Sequence, residues 1–298
     1  MRKRDAFAAL HPSVNLLYFV IVIGFSMWFM HPLSLAISLF WACTYAVYRG
    51  GRKAVRMGLL VMLPMLLFTA LLNPMFNHQG GTILAYLPNG NPVTLESVLY
   101  GIGAAVMLIS VISWFSCFNG VMTSDKFVYL FGRVIPALSL ILAMALRLVP
   151  RFREQIRVIS NAQKGIGRDV SNGNLLQKAK HGIHILSILV TWALENAIET
   201  ADSMKGRGYG LPGRTAFSIF RFDRRDGGVA LYILACTAIV FFGVFSGAYH
   251  FRYFPTIRGQ WTGALTIVIF AAQFLLGALP LILNLKEDFL WARIESRI

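Results

Sequence analysis

The sequence has few charged residues. Only 14% of its 298 residues are Asp, Glu, Lys or Arg, whereas 56% are hydrophobic. A soluble domain of ordinary composition carries about 25% charged residues. A soluble chain of this length can bury a sizeable core with a far smaller fraction of apolar residues. The same composition excludes a disordered or collagen-like chain. The sequence therefore predicts a polytopic membrane protein of the all-α class.

Acidic residues are scarcer than basic ones, because 13 Asp and Glu stand against 28 Lys and Arg and give a net charge of +15. In a membrane protein this excess marks cytoplasmic loops and contacts with anionic lipid headgroups, and we expect no nucleic-acid partner. Cysteine is also rare. Cys43, Cys117 and Cys236 lie far apart in apolar stretches, so we expect packing residues rather than a disulfide framework or a zinc site.

Signatures of catalysis are missing as well. The sequence contains no G-x-x-x-x-G-K-[ST], G-x-S-x-G or H-E-x-x-H motif, which argues against ATP binding in a P-loop and against common hydrolase chemistry. The apolar runs hold almost no ionisable residues, although an ion-driven carrier normally places one inside the membrane. His181 and His184 lack a carboxylate or thiolate at matching spacing, so we expect no metal. These absences predict a non-enzymatic protein without a cofactor, which works through partners.

Six apolar runs are candidates for membrane-spanning helices, since a bilayer core about 30 Å thick needs about 20 residues of helix. They cover Asn15–Met30, Leu33–Tyr48, Val55–Leu72, Leu95–Phe118, Gly228–Tyr249 and Trp261–Leu285. Basic residues cluster at the N-terminus and in Arg49–Arg56, whereas Asn73–Thr94 has no Lys or Arg. Because basic loops stay in the cytoplasm, both termini are predicted to be cytoplasmic.

Phe127–Pro150 is apolar but is not predicted to span the membrane. Arg133 and Arg147 enclose only 13 uncharged residues, about 20 Å of helix. A span here would also export a strongly basic stretch, against the positive-inside rule. We therefore expect a cytoplasmic-side region over residues 127–227, between membrane helices in 1–126 and in 228–298, all in one structural domain.

This region is predicted to contain two long amphipathic helices. In the first, which follows Pro150, the residues Phe152, Ile156 and Ile159 recur at helical spacing. The second is predicted to run from an N-cap at Asn174 to Lys205. Its apolar seam follows three- and four-residue steps through Ala179, Ile183, Leu186, Val190, Ala193, Ala197, Ala201 and Met204. Such a seam suits packing on a partner helix or on the bilayer surface.

Acidic residues form a second stripe on the second helix, at Glu195, Glu199 and Asp202. One interpretation is a solvated face. The other is pairing with basic residues of the first helix or of a partner, in which case exposed pairs contribute only about 0–1 kcal/mol each.

The end of the second helix is the best candidate for a functional site. Gly206, Arg207 and Gly208 place one arginine between two glycines where the basic helix stops. From there Arg207 can enter a groove on another protein and make bidentate contacts with carboxylates or carbonyls. The alternative interpretation is a helix cap with an arginine that complements the helix dipole.

The segment Ala201–Gly210 resembles the Ala-Met-x-Ala-Arg-Gly-Tyr signature of the transmembrane T component of energy-coupling factor (ECF) transporters for vitamins and metal ions. Further segments are similar to that family: Leu10–Pro12, Thr94–Glu96, Tyr100–Gly101, Arg147–Pro150, Glu154, Ala162–Lys164 and Asn174–Leu176. The similarity therefore extends over most of the chain, and it includes both predicted helices at their mutual spacing.

The resemblance implies a scaffold in the plasma membrane of a prokaryote. Its two coupling helices would each end in a small-Arg-small motif, and each end would dock into a groove on one of two ABC-type ATPase subunits. ATP-driven motion would pass through these helices to a small membrane-embedded S subunit that binds the vitamin or metal ion. Solute specificity would then belong to the S subunit.

The first motif departs from the family pattern. The second motif is intact, but the first reads Gly165-Ile166-Gly167 and is followed by Arg168. Either Arg168 replaces the missing arginine, or docking at that end is largely apolar. Two other functions stay open from the sequence alone: a permease of another ABC importer class, and an intramembrane enzyme such as a lipid transferase.

Overall fold

The computed structural model describes residues 5–86, 88, 90–168, 174–209, 220–259 and 263–295. Within them the helices are α1 (Pro12–Trp28), α2 (Pro32–Phe76), α3 (Leu95–Val121), α4 (Ser124–Val134), α5 (Pro136–Gly165), α6 (Leu175–Gly206), α7 (Arg224–Phe245) and α8 (Ala264–Glu295). The strands are β1 (Ile83–Tyr86), β2 (Pro92–Thr94), β3 (Phe251–Arg252) and β4 (Arg258–Gly259). The all-α class is confirmed. Trp261, the predicted start of the last span, and Gly210 lie outside the described residues.

The chain divides into two compact units. One unit combines Met1–Thr123 with Phe220–Ile298, and the other is Ser124–Ile219. The first unit contains α1–α3, α7 and α8, and the second contains α4–α6. The strands form two antiparallel ribbons, β1–β2 and β3–β4, in connections of the first unit.

Two helices of the first unit begin at a His-Pro pair. His11 and His31 are the N-caps of α1 and α2, and Nδ1 of each ring accepts a hydrogen bond from the backbone N–H two residues later. The proline that follows takes the first turn of the helix, where its missing N–H costs nothing. The short connection between the first two apolar runs is therefore formed by an N-cap residue and the first turn of α2.

A single glycine replaces the loop that was predicted over Arg49–Arg56. α2 runs through both apolar runs that flank this segment, and only Gly51 leaves helical geometry, with φ 56° and ψ −146°. This backbone conformation is nearly restricted to glycine, because any Cβ would clash with the main chain. The sequence places a second glycine, Gly50, beside it, but only Gly51 forms the kink.

Three helices in the described part of the chain are long and apolar enough to cross a membrane: α3, α7 and α8. Two shorter apolar helical stretches accompany them, α1 and Met62–Phe76 of α2. These five stretches correspond to five of the six predicted spans.

Polar contacts bring the first and last parts of the chain to the same end of the first unit. The Asp5 carboxylate lies 3.1 Å from Arg49 Nε and accepts a hydrogen bond from Tyr45 OH at 3.0 Å. Tyr48 OH donates to Asp288, near the end of α8, at 2.9 Å. The start of the chain, the middle of α2 and the end of α8 therefore meet there.

At the opposite end of this unit, the segments that connect its helices contact one another. The Gly81 N–H donates to the Pro255 carbonyl at 3.0 Å, and Tyr253 OH donates to the Met30 carbonyl at 3.0 Å. Burial raises the pKa of Tyr253 to about 12, so this hydroxyl keeps its proton for donation at neutral pH. The segment Asn73–Thr94 without basic residues lies at this end, away from Arg49.

Aromatic side chains fill the core of the first unit. Phe7, Tyr18, Phe19 and Trp114 are fully buried and meet edge to face, with ring centroids 5.0 to 6.3 Å apart. Such pairs contribute about 0.5–1.5 kcal/mol each beyond the burial of their surface. Through these contacts α1 packs against α3, and the segment before α1 packs in the same core.

The second unit corrects the start of the first predicted amphipathic helix. This helix does not begin after Pro150 but at Pro136, and it passes through Pro150 before it ends at Gly165. A proline inside a helix removes one backbone hydrogen bond and costs about 3 kcal/mol or more. Packing of α5 against α4 and α6 outweighs this local penalty. α4 ends at Val134, so Phe127–Pro150 is not one continuous helix.

Candidate functional site

The helices α5 and α6 pack side by side in the second unit. Ile159 of α5 and Ile185 of α6 are buried. The Phe152 and Trp192 rings meet edge to face with centroids 5.8 Å apart. The Arg151 guanidinium lies over the same indole at 5.9 Å from its centroid, and this cation–π contact adds about 0.5–1 kcal/mol at an exposed site.

The face of α6 that packs on α5 is not the predicted apolar seam. The buried or half-buried residues of α6 before its last turns are Lys178, His181, Gly182, Ile185, Ile188, Leu189, Trp192, Ala193 and Asn196. Most of the predicted seam is exposed instead, and large apolar side chains extend the exposed surface: Leu175, Leu176, Ile183, Leu186, Val190, Leu194 and Ile198. α6 therefore has a broad apolar face that the described chain does not cover.

The start of α6 lies where the sequence predicts it. Asn174 is the N-cap, and its side chain accepts a hydrogen bond from the Leu175 N–H at 2.8 Å. The Gln177 side chain in turn accepts one from the Asn174 N–H at 3.3 Å. This reciprocal capping box satisfies N–H groups that the helix itself leaves unpaired.

The end of α6 is a Schellman motif, in which two backbone hydrogen bonds close the last turn. The Gly208 N–H donates to the Lys205 carbonyl at 3.0 Å, and the Tyr209 N–H donates to the Met204 carbonyl at 3.1 Å. Gly208 has φ +75°, the left-handed conformation that this motif requires. Arg207 is the C-cap residue and is exposed, so its side chain leaves the helix at the tip.

The end of α5 has the same geometry in the same register. The Gly167 N–H donates to the Lys164 carbonyl at 3.0 Å, and the Arg168 N–H donates to the Gln163 carbonyl at 2.9 Å. Gly167 has φ +78°. Ile166 is the C-cap residue, and 65% of its surface is exposed. The two helix tips are therefore equivalent in backbone structure, with Ile166 in the position of Arg207.

Arg168 does not continue the helix beyond Ile166. Because Gly167 turns the chain into the left-handed region, Arg168 takes the position equivalent to Tyr209. Its Nη1 lies 3.4 Å from His184 Nε2 on α6. Arg168 is thus directed along α6 rather than outward beside Ile166.

Within the described part of the chain, neither packing nor backbone conformation requires the first glycine of each tip. A Cβ added at Gly165 or at Gly206 would meet nothing within 4 Å, and neither residue has a positive φ. Glycine within a helix costs about 0.5–1 kcal/mol relative to alanine. A glycine that the chain itself does not need is typical of a surface where another backbone approaches closely.

Replacing Gly206 by alanine is therefore expected to leave the free protein as stable as before or more stable, by about 0.5–1 kcal/mol. Alanine at Gly208 is the matched control, and it should destabilise α6 by about 1–2 kcal/mol because it forces φ +75° on a residue with a Cβ. Thermal unfolding in detergent measures both. Equal losses at the two positions would show that Gly206 is required by the fold.

The acidic residues of α6 are exposed. Glu195, Glu199 and Asp202 form no ion pair with any residue that the structure describes. Pairing with basic residues of α5, one of the two interpretations of this stripe, is therefore not found in this part of the chain.

Comparison with known proteins gives consistent matches. A family model described as cobalt transport protein (CbiQ) matches residues 10–217, more than half of the chain and both helix tips. A protein named energy-coupling factor transporter transmembrane protein EcfT, from Streptococcus thermophilus, is 28% identical over 248 residues, covering 78% of this chain and 92% of that protein. Its namesake from Streptococcus equi subsp. equi is 30% identical over 203 residues, covering 63% and 71%. With the namesake from Lacticaseibacillus paracasei the identity is 36% over 107 residues, and the chain spans only 40% of that protein's length.

Proposed function

The chain belongs to the cobalt transport protein (CbiQ) family, and from this premise we propose that it is the membrane scaffold, or T component, of an ECF-type importer. It hydrolyses no ATP itself. It transmits the motion of two ABC-type ATPase subunits to an S subunit that binds the solute, a vitamin or a metal ion. The relatives named as EcfT support this role.

The observation that carries the proposal is the pair of equivalent helix tips. Two long neighbouring helices end in the same Schellman motif, and each carries a spare glycine and an exposed C-cap side chain, Ile166 or Arg207. The backbone at both tips is accessible because four residues there lack side chains: Gly165, Gly167, Gly206 and Gly208. α5 and α6 are the coupling helices, and each tip docks on one ATPase.

The exposed apolar face of α6 is the contact surface for the S subunit. A soluble monomer rarely leaves so many large aliphatic residues uncovered on one helix. Because the S subunit is a small membrane protein, its own surface is apolar and suits this face. Anionic lipids contact the basic residues of the same region.

The proposal includes a membrane topology of about six spans with both termini cytoplasmic, in the plasma membrane of a prokaryote. The meeting of Asp5, Arg49 and Asp288 at one end of the first unit supports termini on the same side. The excess of basic residues at the N-terminus and around Arg49 supports the cytoplasm as that side.

Affinity purification of this protein from native membranes in mild detergent tests the proposal, with partners identified by mass spectrometry. Two ABC-type ATPases together with a small hydrophobic protein support it. Recovery of the chain alone, while other membrane complexes stay intact, contradicts it. Solute uptake by this chain and an ATPase without any S subunit would identify a permease of another ABC class instead.

A further inference from the structure

We infer that the two helix tips recognise chemically different grooves, an acidic one at Arg207 and an apolar one at Ile166. This inference rests on the proposed function, because it takes the ATPases as the partners of both tips. It concerns the kind of surface that each ATPase presents.

The two tips have the same backbone geometry, so the backbone does not compensate for their different side chains. The Schellman hydrogen bonds have the same pattern, and the left-handed glycines Gly167 and Gly208 have φ +78° and +75°. Ile166 and Arg207 therefore start from equivalent backbone positions. The partner surfaces must account for the difference in chemistry.

Arg168 does not supply a guanidinium at the α5 tip. It follows the left-handed glycine rather than preceding it, and it lies 3.4 Å from His184 on α6. The equivalent position at the other tip is Tyr209. At the α5 tip, an arginine equivalent to Arg207 would have to occupy the C-cap position. Ile166 occupies that position.

The two side chains have opposite requirements when they are buried. Arg207 needs carboxylates or carbonyls that accept its N–H groups. Ile166 gains affinity only where water is displaced from apolar surface. Carboxylates placed for an arginine would be left buried and unpaired against Ile166, and an apolar groove would leave Arg207 unpaired. One groove type cannot serve both tips well, so the two ATPase surfaces are non-identical.

The test compares reciprocal substitutions in the full complex purified from native membranes. We expect two different ATPase sequences, or two non-identical ATPase halves of one chain. Ile166→Arg should weaken binding of one of them by about 100-fold or more, since it buries an unpaired charge. Arg207→Ile should weaken binding of the other by about 30-fold or more. Ile166→Val is the matched control and should cost about fourfold for one methylene.

Two results would overturn the inference without touching the proposed function. One is a complex with two copies of a single ATPase. The other is an Ile166→Arg protein that binds both ATPases as well as the wild type or better, as an acidic groove would predict. If the wild-type chain retains no ATPase at all, the proposed function itself fails, and this inference fails with it.

A second inference concerns the core of the first unit and is independent of the partners. A cavity of about 10 Å³ lies between α1, α2, α3 and α8. Four of the residues that line it carry polar groups: Ser38, Trp41, Trp114 and Gln273. The Trp41 Nε1–H is buried and has no hydrogen-bond partner in the described part of the chain. In a membrane protein no bulk solvent can satisfy this donor.

The neighbouring hydrogen bonds show which donors and acceptors at the cavity are already used. Trp114 Nε1 donates to Ser38 Oγ at 3.0 Å, and Ser38 pairs with Ser26 at 2.5 Å. Since Ser26 gives its own proton to the Val22 carbonyl, Ser38 donates to Ser26 and keeps one lone pair. Gln273 Nε2 donates one hydrogen to Ser34 Oγ at 2.6 Å and has a second one to give.

The geometry points to one bound water molecule in this cavity. It accepts hydrogen bonds from Trp41 Nε1–H and from the second amide hydrogen of Gln273, and it donates to the remaining lone pair of Ser38. Three partners are typical of a buried water, and the volume is close to the minimum that one water needs. The water joins α2 to α8 at the centre of the unit.

Nuclear magnetic resonance on protein with ¹⁵N-labelled tryptophan tests this site in detergent. The indole resonance that disappears in Trp41→Phe should show an Overhauser contact at the water frequency. The same variant should lower the melting temperature by about 2–4 °C, because the water loses a partner. Trp291→Phe, at an exposed position, is the control and should not change it. A Trp41 indole without water contact, or a Trp41→Phe protein with a higher melting temperature, would overturn the assignment.

Discussion

Arg207→Glu is expected to abolish ATP-driven uptake while the protein still inserts and folds. Arg207 is exposed at the tip of α6, and the Schellman motif there is held by main-chain groups, so the fold does not depend on its side chain. In the proposed acidic groove, reversal of the charge would place two carboxylates against each other. We expect ATPase binding at this tip to weaken by at least about 100-fold, or about 3 kcal/mol. Co-purification of the ATPases and uptake by whole cells measure the two effects.

Arg157→Glu is the matched control for this charge reversal. Arg157 is exposed on α5 in the same unit, away from the helix tips. It should retain ATPase binding and uptake, whereas Arg207→Lys should bind at an intermediate level because lysine keeps the charge but loses the bidentate geometry. Wild-type uptake by the Arg207→Glu protein would remove Arg207 from the coupling mechanism.

Gly101→Ala is expected to lower the free energy of unfolding by about 1–3 kcal/mol, because it forces α2 and α3 apart. A Cβ at Gly101 would come within 2.9 Å of the Ala70 carbonyl oxygen and 3.1 Å of the Asn73 Cβ. Backbone atoms cannot move aside as a flexible side chain can. Small residues at such crossings let membrane helices approach closely. Thermal unfolding in detergent measures the loss.

Gly24→Ala separates this packing effect from a general effect of glycine in a helix. Gly24 lies within α1, and a Cβ there would meet nothing within 4 Å. This substitution should be neutral or stabilise the protein by about 0.5–1 kcal/mol. If Gly101→Ala unfolds at the same temperature as Gly24→Ala, the close contact between α2 and α3 is not important for stability.

The sequence predicts those features that depend on local chemistry. The cap at Asn174 and the helix ends at the two glycine pairs follow from a few neighbouring residues, and each is found. Composition is sufficient for the all-α class.

Features that depend on tertiary packing could not be predicted. Local rules end a helix at Pro150, but α5 continues because its neighbours in the second unit stabilise it. Periodicity identified an apolar seam on α6, but not which side packs on α5, since Ile185 and Trp192 are apolar too.

The placement of Arg168 was also left open by the sequence. The sequence alone does not show that the chain leaves the helix after Ile166, so that Arg168 follows a left-handed glycine instead of a further helical turn. The signal was present in the sequence, because glycine is the residue most often found at the left-handed C′ position, and Gly167 and Gly208 both take that conformation.

The broad apolar face of α6 has a consequence for how cells make this protein. A copy that is synthesised without its companions displays seven large aliphatic side chains on one helix, and such a patch promotes self-association. If the proposed partners cover this face, expression of this chain alone should yield a shorter-lived protein than expression together with them.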